Sequence, residues 1–295
     1  MKEPRVSVCI PVFNPGNFLG AAIESVLAQS FADFELLVVD DASTQPVASV
    51  VGRFDDPRLL FEENPSNLGL VGNWNRCLAL AQGEYITIFH QDDLMRPDNL
   101  AAKVELLDNY PQIGLVHSNI DTIDAAGAVT GGHWAIQPSH APVTAGWWCF
   151  EQLALRGNFI SCPSVVVRTS CYRALGGFDT RLPFTCDLEM WLRIASRHDV
   201  GYLSTPLIGN RQHPNQETKR FSGAGREIRE VQRALDIAFS EYPPVGISHQ
   251  LQRSAYRNLL AWAYRMGRWK LGQRHWRAAF GYFRAGGNVL LSILF

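Results

Sequence analysis

Short apolar runs alternate with segments of helical periodicity through the first third of the chain. Val6 to Pro11 reads as a buried strand. Leu19, Ile23, Val26 and Leu27 then fall on one helical face, with Asn17 placed to cap that helix. Glu35 to Asp40, ELLVVD, reads as a second buried strand, so the chain has wound once into the strand-helix-strand unit of a mostly parallel sheet. Leu59 to Phe61 adds a short strand. A polar loop, ENPSNLG, leads from it into a helix on which Trp74, Cys77, Leu78 and Ala81 recur, with Gly83 closing it. Tyr85 to Phe89, YITIF, is a strand that ends abruptly in His90-Gln91-Asp92-Asp93. In open α/β sheets the carboxyl edge of the strands is where ligands bind.

Beyond Pro97 the pattern predicts a helix near Asn99 to Asn109, a strand at Ile113 to His117, and a looser surface stretch from Asp121 to Thr144. Val165 to Arg168 reads as a strand. The turn Gly176 to Asp179 follows, then a helix from about Asp187 with Leu188, Trp191 and Ala195 on one side. Composition shifts near Ser222, and the remainder is helical and increasingly basic. From Leu251 onward it holds eight Lys or Arg and no Asp or Glu, interleaved with Trp and Tyr. This divides the chain into an α/β domain over 1–221, with a first half to about residue 95 and a second over 96–221, and a basic, aromatic-rich helical tail over 222–295.

Length agrees with that division, since 295 residues suit one large α/β domain with an appendage. Apolar residues at 46% supply a core, and a net charge of -1 offers no general attraction to nucleic acid, which is excluded as a partner. The six cysteines are scattered, with no CxxC pair and no zinc-like spacing, as expected of reduced thiols packed in a cytoplasmic protein. The opening MKEPRVSVCI lacks a signal-peptide layout, and no apolar run has the length of a membrane span.

Two acidic pairs, Asp40-Asp41 and Asp92-Asp93, stand at the ends of separate predicted strands. Adjacent carboxylates repel and persist at caps and turns, or where a cation or a ligand's N–H groups offset the repulsion. Either pair alone reads as a cap. Both at one sheet edge point to a ligand site, and carboxylate oxygens there suit Mg²⁺ or Mn²⁺ bridging to a diphosphate.

The ordered set VSVCIPVFN, LLVVDDAST, NLG followed by Asn and GEYI, HQDD at His90 to Asp93, GGFD at Gly176 to Asp179, and CDLEMWLR at Cys186 to Arg193 resembles glycosyltransferase family 2, with its GT-A fold. Arg211 and His213 extend the likeness, which covers about the first 215 residues. The resemblance implies an inverting transferase that moves a sugar from a nucleotide-diphosphate donor, a UDP-sugar being favoured, to an acceptor hydroxyl in surface polysaccharide or glycolipid assembly. It implies Pro11, Phe13 and Asn14 beneath the nucleotide, Asp41 toward a uracil-type base with Asp40 beside it, and Asn67 and Gly69 in the loop closing over the nucleotide. His90, Gln91 and Asp92 complete that side, and Asp92 matches the metal-binding second Asp of the family's Asp-X-Asp.

The first Asp of that motif is His90 here, so metal dependence by Mn²⁺ or Mg²⁺ rests chiefly on Asp92. Trp74 stands where many relatives carry Arg. Asp187 matches the family's general base, whose usual Glu partner is Cys186, although an Asp starting a helix is also a favoured N-cap. His213 resembles a histidine that reaches the metal or the diphosphate, and reads equally as an exposed loop residue. Arg211 reads as a phosphate partner or a solvated charge. Asn158 falls where the family builds its acceptor side. Trp147 and Trp148 read as a sugar-stacking platform or, more commonly for tryptophan, as buried core.

The tail reads as an amphipathic helical pair, with Leu259, Trp262 and Met266 on one face. It is either a cap packed on the domain or a peripheral attachment to an anionic membrane at its inner face, suggested by the absent acids and the LLSILF end. Rival readings are a non-catalytic sugar-nucleotide-binding module and a sugar nucleotidyltransferase. The second expects a basic, glycine-rich loop after the first strand, and VFNPGNFLG carries no Lys or Arg.

Overall fold

The computed structural model describes residues 3–132, 142–214, 216–217, 221, 223–246 and 249–294. Its first strands are β1 (Val6–Val12), β2 (Phe34–Asp40), β3 (Leu59–Glu63), β4 (Tyr85–Ile88) and β5 (Leu94–Met95). They are followed by β6 (Ile113–Ile123), β7 (Val129–Gly131), β8 (Val143–Thr144), β9 (Val166–Arg168) and β10 (Asp199–Arg211). Among the described residues these form one sheet in the order β3-β2-β1-β4-β9-β6-β10-β5, with β7 beside β6 and β8 beside β10. Strands β3, β2, β1 and β4 are parallel, as are β6 and β10; β9 runs antiparallel between β4 and β6.

The register explains why polar groups gather at one edge. Val12 pairs with Asp40 and Cys9 with Ile88, so β1, β2 and β4 end close together, with Asp41 and the His90–Asp93 segment just beyond. The strands read as mostly apolar runs because both faces are covered. On one face Val6, Val8, Ile10 and Val12 pack with Leu19, Ile23 and Val26 of α1 (Leu19–Leu27) and with Leu100 and Val104 of α4 (Asn99–Asn109). On the other, Cys9 joins Trp74 of α3 (Gly69–Leu80), Phe150 of α5 (Gly146–Arg156) and Trp191 of α7 (Cys186–Ala195). Two short helices, α2 (Val47–Val51) and α6 (Thr169–Leu175), complete this part.

Several expectations shift. Residue Asn17 does not cap α1: the cap position is Phe18, and no side chain bonds the first turn. Gly83 does not close α3, which ends at Leu80. Gly83 is required elsewhere, because a Cβ there would lie 2.5 Å from the backbone nitrogen of Ser7; its N–H donates to Ser7 Oγ at 2.8 Å. The strand expected over Ile113 to His117 runs on to Ile123. All six cysteines are free and buried.

The tail is helical as expected: α8 (Arg226–Glu241), α9 (His249–Gly272) and α10 (Trp276–Leu294). Ser222, where the composition changes, lies outside the described residues. Ile228, Leu235, Tyr256, Leu259, Tyr282 and Val289 belong to the same buried cluster as Trp191 and Phe150, so these helices pack on the sheet's second layer. No helix among the described residues is long and apolar enough to cross a membrane.

Candidate active site

Side chains knit the loops leaving β1, β2 and β4 into one floor. Asn14, at a φ of 46°, accepts from the backbone N–H and the hydroxyl of Thr44, each at 3.0 Å, and its own N–H donates to Ser43 Oγ at 2.9 Å. Gln91 reaches across to the β1 loop. Its Oε1 accepts from the Phe13 N–H at 2.9 Å and its Nε2 donates to the Phe13 carbonyl at 3.2 Å. Both ends of that amide thus hold backbone, and the Phe13 ring is left 41% exposed. Pro11, half-buried, pairs in register with Val39 directly beneath this loop.

Asp40 accepts from the Ser43 N–H and hydroxyl and so shapes the turn after β2. Asp41 is buried. Its Oδ1 accepts from the Leu68 N–H at 2.8 Å and from Asn64 Nδ2 at 2.9 Å, and its Oδ2 from the Gly69 N–H at 2.9 Å. The Leu68 and Gly69 amides at the start of α3, the second also bonded to Asn67 Oδ1 at 3.1 Å, thereby meet a charge set against the positive end of the helix. A carboxylate has about four acceptor sites, so one is left over. Gly69 has a φ of 75°, which a glycine adopts without strain in this tight turn, and Asn67 Nδ2 donates to the Asp41 carbonyl at 3.1 Å.

A second group forms where the turn after β4 meets the end of β10. Asp92 Oδ2 lies 2.7 Å from His213 Nε2, and the His213 ring leans on Phe18 with centroids 5.0 Å apart. His213 is therefore not an exposed loop residue: its side chain is only 13% exposed. Donor atoms of His90, Asp92 and Asp93 lie within 4.8 Å of one another. His90 Nε2 is buried without a hydrogen-bond partner among the described residues, and burial pushes its imidazole below the ordinary pKa against the pull of Asp92. A neutral ring keeps a lone pair for a metal.

Asp93 faces inward. It accepts from the Arg211 N–H at 2.8 Å and from Asn210 Nδ2 at 3.2 Å, and burial with the neighbouring Asp92 charge raises its carboxyl well above the ordinary range. Arg211 is buried rather than solvated. It donates to the carbonyls of Asp92 at 2.7 Å, Asp124 at 2.9 Å and Ala125 at 2.8 Å, and lies over the Phe18 ring, which braces the backbone that carries Asp92. Carboxylate oxygen with imidazole nitrogen is a mixed donor set that suits Mn²⁺ better than the all-oxygen preference of Mg²⁺.

Asp187 is the second residue of α7, and Thr185 occupies the cap position, so the N-cap explanation of this acid does not hold. Its Oδ1 accepts the Leu188 N–H at 2.7 Å and its Oδ2 accepts from Asn158 Nδ2 at 2.7 Å. Burial lifts its carboxyl to about 6 while those two donors pull it down. Cys186 is wholly buried and takes the core position beside it.

Asp187 and the Asp92-Asp93 turn share one neighbourhood, since the buried Cys162 thiol is raised by the charges of both Asp187 and Asp93. A line of rings joins the same two places: His90 to Trp74 at 5.9 Å, Trp74 to Phe178 at 5.0 Å, and Phe178 to Trp191 of α7 at 6.5 Å. Trp74 thus packs beneath His90 as an apolar support.

The sequence reading gave no role to Asn75, which exchanges two 2.8 Å hydrogen bonds with the Phe178 backbone and ties the GGFD turn to α3. Gly177 permits that approach, for a Cβ would lie 2.4 Å from Asn75 Oδ1. The conjunction of GG with a helical Asn carries no pattern by itself. Phe18 and Asn210 were missed as well, because their partners are distant in sequence. Trp147 is not brought to the site. It is 60% exposed, contrary to the core reading, and its neighbour Gly146 abuts His198 and Ala195 at the far end of α7 from Asp187.

Residues 7–149 match glycosyl transferase family 2. An uncharacterised glycosyltransferase of Rickettsia felis is 29% identical over 232 residues, covering 76% of this chain and 37% of that protein. Among solved structures, residues 1–349 of S. aureus TarS in complex with UDP-GlcNAc align over 98% of this chain and 92% of that one, with a TM-score of 0.64 at 15% identity. The mannosyltransferase PcManGT of Pyrobaculum calidifontis, in complex with GDP-Man and Mn²⁺, aligns over 100% and 88%, with a TM-score of 0.61 at 19% identity. These likenesses place the chain in the GT-A fold.

Proposed function

We propose that this chain, whose residues 7–149 match glycosyl transferase family 2, is a glycosyltransferase that moves a sugar from a nucleotide diphosphate to an acceptor hydroxyl by a single inverting displacement. The observation that carries the reading is the pairing of two acid centres at one sheet edge: Asp92 with His213 on the donor side, Asp187 with Asn158 on the acceptor side.

On this reading the Asn14 and Asp41 loops hold the nucleotide, with Phe13 against the base and the remaining acceptor site of Asp41 toward a base N–H. That favours a uridine nucleotide. The Asp92, His213 and His90 side chains would hold the divalent cation, which when bound supplies Lewis acidity toward the departing diphosphate. Asp187, kept in place by Asn158, takes the proton of the acceptor hydroxyl. The acceptor oxygen forms its bond to the anomeric carbon from the opposite side as the carbon–phosphate oxygen bond breaks, and the electron pair leaves with the nucleotide. Ionised at neutral pH yet close to its pKa, Asp187 suits a general base.

The acceptor class that fits is a saccharide or glycolipid in surface polysaccharide assembly, with the enzyme working at a membrane face. The test is a panel of nucleotide sugars with Mn²⁺ or Mg²⁺, scored for thermal stabilisation and slow donor hydrolysis. A uridine donor that stabilises and turns over supports the reading. Stabilisation without hydrolysis by any donor would favour a binding module instead.

A further inference from the structure

The helices α9 and α10 form a hairpin whose base is fixed and whose tip is bare. At the base the α10 backbone touches the entry to α8: a Cβ on Gly281 would lie 2.4 Å from the Ala224 carbonyl oxygen, and one on Gly225, at a φ of 73°, 2.7 Å from the Gly281 carbonyl oxygen. The Tyr282 hydroxyl donates to Glu227 and Gln232 Nε2 to Ser292 Oγ. Asn258 Nδ2 of α9 donates to the Leu155 carbonyl at the end of α5, at 3.0 Å. Between the two helices, Gly267 makes room for the Phe283 ring.

Toward the turn the surface changes character. Trp269, Trp276 and Phe280 are 52%, 67% and 70% exposed, and Tyr264 also faces out. Large aromatics are seldom left bare together on a surface that meets only water. Among them stand Arg265, Arg268, Lys270, Arg274 and Arg277, with the Lys270 ammonium 4.3 Å from the Trp269 ring centre. No acid occurs from Leu251 onward.

The tip projects from a particular edge. Glu230 of α8 accepts from the N–H groups of Phe184 and Thr185, so the start of α8 sits beside the start of α7 and hence beside Asp187. Helix α10 meets α8 first at Gly225 and then at Gln232, so it runs alongside in the same sense. The residues before Gly281 therefore continue past the start of α8. At 1.5 Å per residue Trp276 lies ~8 Å beyond Gly281, and Trp269 lies ~16 Å beyond Asn258. The tip thus overhangs the edge that carries Asp187.

We propose that this tip docks on an anionic lipid surface. The rings of Trp269, Trp276 and Phe280 enter the interface, and the surrounding arginines lay their apolar stems along it and turn their charges to the headgroup phosphates. Docking is placed at the helix turn and not at the apolar LLSILF end that the sequence suggested. The bound orientation turns the Asp187 edge toward the membrane, where a lipid-borne acceptor presents its hydroxyl. Only that last consequence rests on the proposed transfer reaction.

The test is sedimentation of the full chain with phosphatidylcholine vesicles, with and without phosphatidylglycerol, at low and high salt, with no donor or acceptor present. The expected result is binding to the phosphatidylglycerol vesicles alone, weakened by salt. Trp269→Ala, Trp276→Ala and Phe280→Ala combined should reduce that binding by ~10-fold or more, with unchanged circular dichroism and donor hydrolysis. A second variant, Arg268→Glu with Arg274→Glu, should act likewise. Failure of the native chain to bind, or equal binding by the variants, overturns the proposal. So does a dimer in light scattering that the same aromatic substitutions disperse, which would assign the tip to a second copy.

Discussion

Asn158 Nδ2 donates to Asp187 Oδ2 at 2.7 Å, and this bond, together with the Leu188 N–H, partly offsets the effect of burial on the acid. Burial holds the Asp187 carboxyl at about 6, and the Asn158 amide favours the charged form. A base works when ionised, so kcat/KM should be level above that pKa and fall ~10-fold per pH unit below it. Removing the amide in Asn158→Ala should move the acid limb to higher pH, with a larger loss of rate at pH 6 than at pH 8. A limb that stays in place would show that Asn158 does not act through Asp187.

Asp92 is shared between the His90–Asp93 turn and His213, which fixes what metal titration should report. Asp92→Asn is expected to lose ~10²-fold or more in turnover and to abolish restoration by Mn²⁺ after chelation. His213→Ala should raise the Mn²⁺ concentration for half-maximal activity ~10- to 100-fold while turnover at saturation falls less. Equal Mn²⁺ response in both variants and the native enzyme would remove these residues from the metal site.

Asp41→Ala should cost stability as well as donor affinity. It leaves the Leu68 N–H and one Asn64 amide proton without their acceptor and the Gly69 N–H with Asn67 Oδ1 alone. An unsatisfied buried donor costs about 1–3 kcal/mol, so urea unfolding should show a loss of at least ~2 kcal/mol. A purely base-contacting role would leave unfolding unchanged.

His117 lies buried against Tyr202 and Phe159, its Nδ1 unpartnered among the described residues, and burial lowers its imidazole to about 3. Between that value and ~6.5 the unfolded chain binds a proton that the folded one does not, so stability falls as pH falls through this window. The loss through His117 at pH 5 relative to pH 8 is about 2 kcal/mol. His117→Phe should flatten the acid limb of unfolding. An unchanged limb would mean that other groups govern acid lability.

The central strands were legible because both faces are buried, which leaves β1 and β2 mostly apolar, with Ser7 and Glu35 hydrogen-bonded to each other. Helix α4 was legible through its periodicity after Pro97. Strand β10 escaped notice because Gly201, Ser204 and Pro206 break any strand pattern, while its shifted register beside β6 absorbs the interruptions. At the site, the polarity pattern alone does not separate the acids of Asp92-Asp93, yet one faces His213 and the other Asn210. Neither partner is within a hundred residues. Trp147 looked like core and is exposed, since Gly146 against the α7 end fixes which side of α5 turns inward.

The most direct test is Asp187→Asn, assayed for donor binding by calorimetry and for transfer with an accepted donor and acceptor. Donor affinity is expected within a few-fold of native, with transfer lowered ~10²- to 10⁴-fold across the pH range. Native turnover in that variant would contradict the assignment of Asp187 as the base.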